Sequence, residues 1–267
     1  LDVFPAAAAS VATLGVAWRK VDGVYDRAGA RHNRAEAEAV VAEVLARLRD
    51  PERAGKSLGV VTFSRPQQEL ILDLLDDARQ ADPALEPYFA DDAAEPVLVK
   101  NLETIQGDER DVIVFSLGHA PVARQRRGGT ADAYVPARFG PLGQRGGERR
   151  LNVAISRAKL ECCVVSSFDP KLLHVGHAAH VGPRLFKGFL EFVHHTSQGR
   201  RAQAQRILDD VRGTTMGRRE PGTVAMIDGH VPLPAQLALA LEQRGLRCTL
   251  DLGSSGFRVP LAVGSKD

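Results

Sequence analysis

The stretch Val99-Lys-Asn-Leu-Glu-Thr-Ile-Gln-Gly-Asp-Glu-Arg-Asp-Val-Ile-Val-Phe115 places a polar turn between two short apolar runs. Residues 97–100 and 112–117 are predicted to be strands, because runs of this length suit a strand better than a helix. The turn between them, Gln106-Gly-Asp-Glu109, contains a glycine, which permits a close backbone approach or a positive φ. The stretch therefore predicts a strand, a polar turn and a second strand.

Helices are predicted on both sides of this stretch. Asn33-Arg-Ala-Glu36 has the form of a capping box, and apolar residues follow it at helical spacing. Ser64-Arg-Pro-Gln67 resembles a second helix start with proline in the first turn. A buried parallel strand at residues 58–63 separates the two helices. A third helix is predicted at residues 151–159.

Further strands and helices continue the alternation. Residues 160–166 are predicted to be a strand, and a helix near residues 183–195 closes the domain. Short apolar strands that alternate with amphipathic helices are typical of a parallel α/β sheet. Composition changes near Thr196: residues 198–219 are polar and basic and are predicted to form a helix and a linker. A helix at 234–244 and strands at 246–250 and 257–263 then predict a small α+β extension.

The composition of the chain excludes few classes of function. The net charge is +2, from 35 basic and 33 acidic residues, so any basic surface must come from clustering. The three cysteines have no CxxC spacing, which indicates a reduced, cytoplasmic protein. No apolar run reaches the length of a membrane span, and no signal peptide is evident, so no membrane partner is expected. Since the chain does not begin with Met, we expect it to be a fragment of a longer protein.

The polar turn carries groups suited to a nucleotide. Thr104 and Gln106 offer a hydroxyl and an amide to phosphate oxygens, and the carboxylate of Glu109 can accept from a ribose hydroxyl or orient a water. A capped turn without a ligand is the competing interpretation of so short a motif. Ala54-Gly-Lys-Ser57 is not a phosphate-binding loop, because the upstream glycine is missing and a strand follows where a helix is needed.

The segment Gly147-Glu-Arg-Arg-Leu-Asn-Val-Ala-Ile-Ser-Arg-Ala-Lys159 closes a region rich in arginine. On a helix that starts near Glu148, Arg150 and Arg157 are seven residues apart and share a face, which is usually a solvated one. The three histidines at positions 174, 177 and 180 are spaced like metal ligands, but the segment is a poor helix, so ordinary loop histidines are expected and no metal site.

In this order, the two quoted segments resemble motifs V and VI of superfamily 1 helicases, and residues 58–75 fit motif IV. Phe139-Gly-Pro-Leu142 and the glycines that follow are similar to a bacterial subgroup of the Upf1-like branch, DNA or RNA helicases that end in a small restriction-endonuclease-like domain. The resemblance implies a second, C-terminal RecA-like domain at residues 1–197. It also implies that the first RecA-like domain, which carries the phosphate loop, is a missing partner.

Residue roles follow from this resemblance. Arg157 is expected to be the catalytic arginine finger that reaches the γ-phosphate of ATP across the interdomain cleft. Gln106, Gly107 and Glu109 are expected to contact ATP as well. ATP and Mg²⁺ would be cofactors of the full-length protein, and neither is expected to bind this chain alone. Single-stranded nucleic acid, DNA rather than RNA, is the expected partner, and its backbone would contact six residues. These are Thr62, Ser64, Thr104, Arg150, Asn152 and Lys159.

The segment 198–267 is expected to be a linker followed by a partial, inactive endonuclease-like domain, because residues 234–263 resemble the opening of a very-short-patch-repair-like nuclease. The positions that carry a metal-binding Glu and Asp in that family are Gln236 and Pro260 here. An unrelated αββ extension is the alternative. For the whole chain, the expected function is a helicase motor domain. A non-catalytic binding module for nucleic acid or a partner, and a nuclease fragment, are the other hypotheses.

Overall fold

The computed structural model describes residues 15–125, 131–137, 139–215, 233–254 and 257–264. The described residues form two units: a larger one that ends at Val211 and a smaller one that begins at Arg212. The division falls 14 residues after the boundary proposed from composition. None of the helices in the described ranges is long and apolar enough to span a membrane.

A five-stranded parallel sheet forms the centre of the larger unit, as the sequence predicted. Its strands lie in the order β1, β7, β4, β2, β3, and every neighbouring pair is parallel. A separate three-stranded sheet consists of the antiparallel hairpin β5–β6 and the two-residue strand β8, which is parallel to β6. The bounds are β1 (Val16–Lys20), β2 (Leu58–Thr62), β3 (Leu98–Asn101), β4 (Arg110–Ser116), β5 (Val122–Gln125), β6 (Ala131–Pro136), β7 (Ala158–Ser166) and β8 (Leu173–His174).

Helices cover both faces of this sheet. The bounds are α1 (Arg34–Leu48), α2 (Arg65–Ala81), α3 (Gly147–Ile155), α4 (Gly182–Ser197) and α5 (Arg201–Thr215). Along β4, Val112 and Val114 pack into the core beneath α1 and α2, whereas Ile113 and Phe115 pack into the core beneath α3 and α4. A strand buried on both faces shows the continuous apolar run typical of parallel sheets. The predicted α/β fold with a parallel sheet flanked by helices is therefore confirmed.

The third helix ends earlier than predicted. A helix was expected over residues 151–159, but α3 ends at Ile155 and β7 begins at Ala158. The cause is strand pairing: Ala158 pairs with Arg110 at the start of β4, and β7 lies between two parallel neighbours. The pairing with β4 at Ala158, joined by pairing with β1 from Cys162 onward, outweighs the weak helix preference of a few residues. Lys159 is consequently a strand residue.

Both predicted N-caps are confirmed, but the capping box is not. The Asn33 side chain accepts from the backbone N–H of Glu36 at 3.2 Å, and the Ser64 hydroxyl accepts from that of Gln67 at 3.4 Å. In a capping box the Glu36 carboxylate would accept from the N–H of Asn33. That N–H instead donates to the Gln67 side chain at 2.7 Å, and Glu36 is fully buried.

The smaller unit is α+β in its described residues, as predicted. It contains α6 (Leu233–Glu242) and an antiparallel pair, β9 (Arg247–Ser254) and β10 (Phe257–Gly264). With two strands described in this sheet, each is an edge strand, and Pro260 lies in β10 where proline is tolerated. Gln236 lies in α6.

The parallel sheet has two distinct edges. At what we call the carboxyl edge, Thr62 of β2 pairs with Ser116 of β4, and the loops after these strands begin. At the opposite end, which we call the amino edge, Arg110 of β4 pairs with Ala158 of β7. Because the strands are parallel, a residue just before a strand lies at the amino edge and one just after it lies at the carboxyl edge.

Candidate functional site

Arg157 lies at the amino edge, in the turn between α3 and β7. Its Nε donates to the carbonyl of Val153 at 2.9 Å, and its Nη2 donates to the Ser156 hydroxyl at 3.1 Å. The Arg157 carbonyl accepts from the N–H of Arg110 at 3.1 Å, which fixes the turn to the start of β4. A cation at the carbonyl end of a helix is favourably placed.

The predicted shared helical face of Arg150 and Arg157 is wrong. Arg150 lies within α3, whereas Arg157 follows its last turn and folds back onto it. Among the described residues, no carboxylate lies within ion-pair distance of the half-buried Arg157 guanidinium. Within the described ranges, its Nη1 and the second N–H of Nη2 make no hydrogen bond, so they are available to an anion.

The polar turn before β4 brings a carboxylate to the same edge. Gly107 has a φ of +93°, the conformation that the sequence predicted for this glycine. Gln106 and Glu109 are exposed, and Glu109 directly precedes β4. The hydrogen bond between Arg110 and Arg157 therefore holds the turns of Glu109 and Arg157 side by side.

Lys159 also lies beside Glu109 at this edge. Its Nζ lies 3.1 Å from the Glu95 carboxylate and 3.7 Å from that of Glu109. The hydrogen bond to Glu95 raises the pKa of the Lys159 ammonium. Lys159 thus sits among the expected ATP-binding residues at the amino edge, and two carboxylates already occupy it.

Three of the expected backbone-contact residues lie near the carboxyl edge. Thr104 is exposed, and its hydroxyl accepts from the N–H of Asn101, the last residue of β3, at 3.1 Å. Ser64 caps α2 directly after β2. Thr62 is 0% exposed, and its hydroxyl donates to the carbonyl of Ser64 at 2.9 Å. Thr62 therefore positions Ser64 and has no surface of its own for a phosphate.

Arg150 and Asn152 project from α3. Asn152 is exposed and Arg150 is half-buried. Within the part of the chain that is described, neither side chain makes a hydrogen bond or an ion pair. Both are therefore free to meet a ligand.

A buried carboxylate at the carboxyl edge was missed by the sequence reasoning. Glu36 Oε1 accepts from the Ser116 hydroxyl at 2.9 Å and from the N–H of Gly118 at 2.6 Å. Its Oε2 accepts from the N–H and the hydroxyl of Ser167, both at 3.2 Å. Burial raises the pKa of Glu36 to about 7, against the four donors that lower it.

Two amide side chains extend this network. Gln67 Nε2 donates to the Ser116 hydroxyl and to the carbonyl of Asn33, both at 3.1 Å. Asn33 Nδ2 donates to the Ser167 hydroxyl at 2.8 Å. We call these five residues, Asn33, Glu36, Gln67, Ser116 and Ser167, the carboxyl-edge network. It joins the first turns of α1 and α2 to the ends of β4 and β7.

A signal for Glu36 was present in the sequence. Glu36 precedes Val40 and Val44 by one and two helical turns, so it lies on the apolar stripe of α1. A carboxylate on a buried stripe needs donors from elsewhere in the fold. The capping-box interpretation gave it a local partner and so hid this requirement.

Comparisons with known proteins agree with this architecture. The AAA_12 family, described as an AAA domain, matches residues 9–169. An uncharacterized ATP-dependent helicase of Mycoplasma genitalium, MG140, and its homolog in Mycoplasma pneumoniae are each 39% identical to the chain, over 143 and 144 residues. The matches cover 52% of this chain and 11% of each relative.

Solved structures give a weaker likeness. The DExH-box NTPase HrpB of E. coli covers 85% of the chain at 13% identity with a TM-score of 0.31, and the chain covers 29% of it. A second structure, described as the Escherichia coli DEAH/RHA helicase HrpB, gives a TM-score of 0.32 at the same identity and covers 85% of the chain, which covers 30% of it.

Proposed function

The chain belongs to the AAA_12 family of AAA domains, and on that basis we propose that it is the C-terminal motor domain of an ATP-dependent superfamily 1 helicase. In this function it supplies an arginine finger to ATP hydrolysis and one half of the track for single-stranded nucleic acid. The two curated relatives are named as ATP-dependent helicases, which supports the proposal. The chain spans only 11% of their length, so the rest of the motor would come from other domains.

The observation that carries the proposal is the pairing of the Glu109 and Arg157 turns at the amino edge. Part of the guanidinium has no partner among the described residues and could take an anion, and the neighbouring turn offers an amide at Gln106 and a carboxylate at Glu109. Transfer of the γ-phosphoryl group to water spreads negative charge over its oxygens. Arg157 would stabilise that charge, while Gln106 and Glu109 would hold the ribose or orient the water.

ATP and Mg²⁺ differ in how well the residues of this chain could hold them. The donors of Arg157 and Gln106 suit phosphate oxygens, so this edge fits part of an ATP molecule. For Mg²⁺, no group of three or more His, Cys, Asp or Glu ligands is found among the described residues. No step is therefore assigned to a metal held by this chain.

The nucleic-acid track is assigned to the carboxyl edge and α3. Ser64 at the start of α2 and Thr104 beside the end of β3 offer hydroxyls, and Arg150 and Asn152 offer a cation and an amide. These groups suit backbone phosphates, which are contacted without sequence preference. Thr62 is given a positioning role through Ser64, and Lys159 a role in holding Glu109.

The test uses the full-length protein. Replacing Arg157 with alanine should lower nucleic-acid-stimulated ATP turnover by about 10³–10⁵-fold, because the charge on the transferring phosphate loses its counter-charge. ATP binding should change much less. Arg149→Ala is the matched control, since Arg149 is an exposed arginine of α3 outside the proposed site. Near-normal turnover in Arg157→Ala would remove the finger and favour a non-catalytic binding module.

A further inference from the structure

Four rings form a continuous column that ends at the surface of the larger unit. Phe63 packs on Phe139 with 5.9 Å between centroids, and Phe139 packs on His119 at 4.2 Å. Tyr25 stacks on His119 at 5.0 Å with an interplanar angle of 6°. Phe63 and Phe139 are buried, whereas Tyr25 is only half-buried. We call these four residues the aromatic column.

The column stands at the carboxyl edge, beside a proposed phosphate contact. Tyr25 lies beyond the end of β1, His119 beyond the end of β4, and Phe63 directly before Ser64. Ser64 is the N-cap of α2 and belongs to the proposed track. Single-stranded nucleic acid that contacts Ser64 would therefore lie at the same edge of the sheet as Tyr25, whose ring is separated from that of Phe63 by the His119 and Phe139 rings.

The ring beneath Tyr25 is held firmly. His119 Nδ1 is hydrogen-bonded to the carbonyl of Leu117 at 2.8 Å. The preceding residue, Gly118, has a φ of +67°, and its N–H donates to the buried Glu36 carboxylate at 2.6 Å. The carboxyl-edge network thus holds the loop that carries His119, and the His119 ring lies parallel to that of Tyr25.

The outer side of Tyr25 has no such partner. Among the residues that the structure describes, His119 is the one ring stacked on Tyr25, and the Tyr25 hydroxyl makes no hydrogen bond. Because Tyr25 is only half-buried, part of its side chain is open to solvent.

The charged residues around Tyr25 include slightly more cations than acids, which favours the binding of a polyanion. Three exposed cations lie in the same segment, and none forms an ion pair within the described ranges: Lys20, Arg27 and Arg31. Two exposed acids lie there as well, Asp22 and Asp26. The Asp26 carboxylate already accepts from the N–H groups of Gly29 and Ala30, both at 2.9 Å. The balance leaves a small excess of positive charge.

We propose that Tyr25 is a stacking platform for a base of single-stranded nucleic acid, at the same edge of the sheet as the phosphate contact at Ser64. The proposal rests on the proposed function, because it assumes that a strand follows the carboxyl edge. A fixed ring loses little conformational freedom when a base stacks on it. Every base has a flat face, so such a contact tolerates any sequence, as a translocating motor requires.

The test measures binding of two fluorescent strands of equal length to the 267-residue chain by anisotropy. One strand is oligothymidylate, and the other is an abasic strand with the same phosphate backbone. Tyr25→Ala should weaken oligothymidylate binding about tenfold, which is within the range for loss of one base–aromatic stack. It should leave binding of the abasic strand unchanged, because that strand has no base to stack. Tyr25→Phe keeps the ring and should bind oligothymidylate like the wild type.

The outcomes separate this inference from the proposed function. If the wild-type chain binds both strands equally well and Tyr25→Ala changes neither, the platform is refuted while the backbone track stands. If Tyr25→Ala weakens both strands equally, the ring acts through the fold and not through a base, which also refutes the platform. If the wild-type chain binds neither strand at low salt, the track itself is wrong and the platform falls with it.

Discussion

The buried carboxylate of Glu36 should make the stability of this domain depend on pH. Glu36 is fully buried, and burial raises its pKa from the ordinary value of 4.5 to about 7. Between these two values the folded chain keeps a proton that the unfolded chain releases. The folded state therefore binds more protons, and its stability falls as pH rises through this range.

The size of the effect follows from the two pKa values. A pKa of 4.5 in the unfolded chain and about 7 in the folded chain correspond to about 3 kcal/mol of unfolding free energy. This contribution is complete below about pH 4.5 and is lost by about pH 7. It is a large part of the ~5–15 kcal/mol by which domains are usually stable.

The assay compares the wild type with Glu36→Gln by urea unfolding at about pH 5 and about pH 8. The single tryptophan, Trp18 in β1, reports on the larger unit. Glutamine turns one acceptor oxygen into a donor facing N–H groups, so the variant should be less stable at both pH values. Between the two pH values, the wild type should lose about 3 kcal/mol more than the variant.

Glu38→Gln is the matched control. Glu38 lies two residues further along α1, and its side chain is 54% exposed in an ion pair with Arg34. This variant should follow the wild type at both pH values. If the wild type and Glu36→Gln instead lose the same free energy, Glu36 does not titrate in this range. The four donors would then hold the carboxylate ionised, and the argument from burial would be wrong.

Two further predictions concern nucleic acid. The chain should bind single strands weakly and with little sequence preference, and affinity should fall steeply with salt; Arg150→Ala should reduce the salt slope by about one. Binding that persists at high salt or needs one sequence would contradict a backbone track. The chain should show no Mg²⁺- or Mn²⁺-dependent cleavage of DNA or RNA, because Gln236 and Pro260 replace the acidic ligands of the resembled nuclease. Metal-dependent cutting that co-purifies with the chain and is lost in Asp251→Ala would overturn this.

The fold could be predicted where local patterns and long-range packing agree. The apolar run of β4 faces helices on both sides, so its sequence alone indicates a buried parallel strand. The end of α3 could not be predicted in this way. There the start of a strand replaces the last predicted helical turn, and its partner is 48 residues away in sequence, since Ala158 pairs with Arg110.

The sequence proposed a set of site residues but did not predict their positions relative to one another. Motif order places Lys159 next to Arg157, and the same resemblance assigned Lys159 to the nucleic-acid backbone. The structure places Lys159 beside Glu109 because β7 and β4 are neighbours that start at the same edge. Glu36 was missed for a related reason: it contacts Ser167, which is 131 residues away in sequence.

The two edges of the sheet are joined by the same buried strands. β4 and β7 start beside the Glu109 and Arg157 turns; β4 ends at Ser116, a member of the carboxyl-edge network, and β7 ends at Ser166, which precedes the member Ser167. Residues Val112–Ser116 are completely or almost completely buried, and close-packed interiors have low compressibility and transmit strain. In the proposed motor, the arginine finger and the track would therefore move as one body. On this proposal, the motion that couples ATP hydrolysis to the nucleic acid would occur between this domain and the one that supplies the phosphate loop.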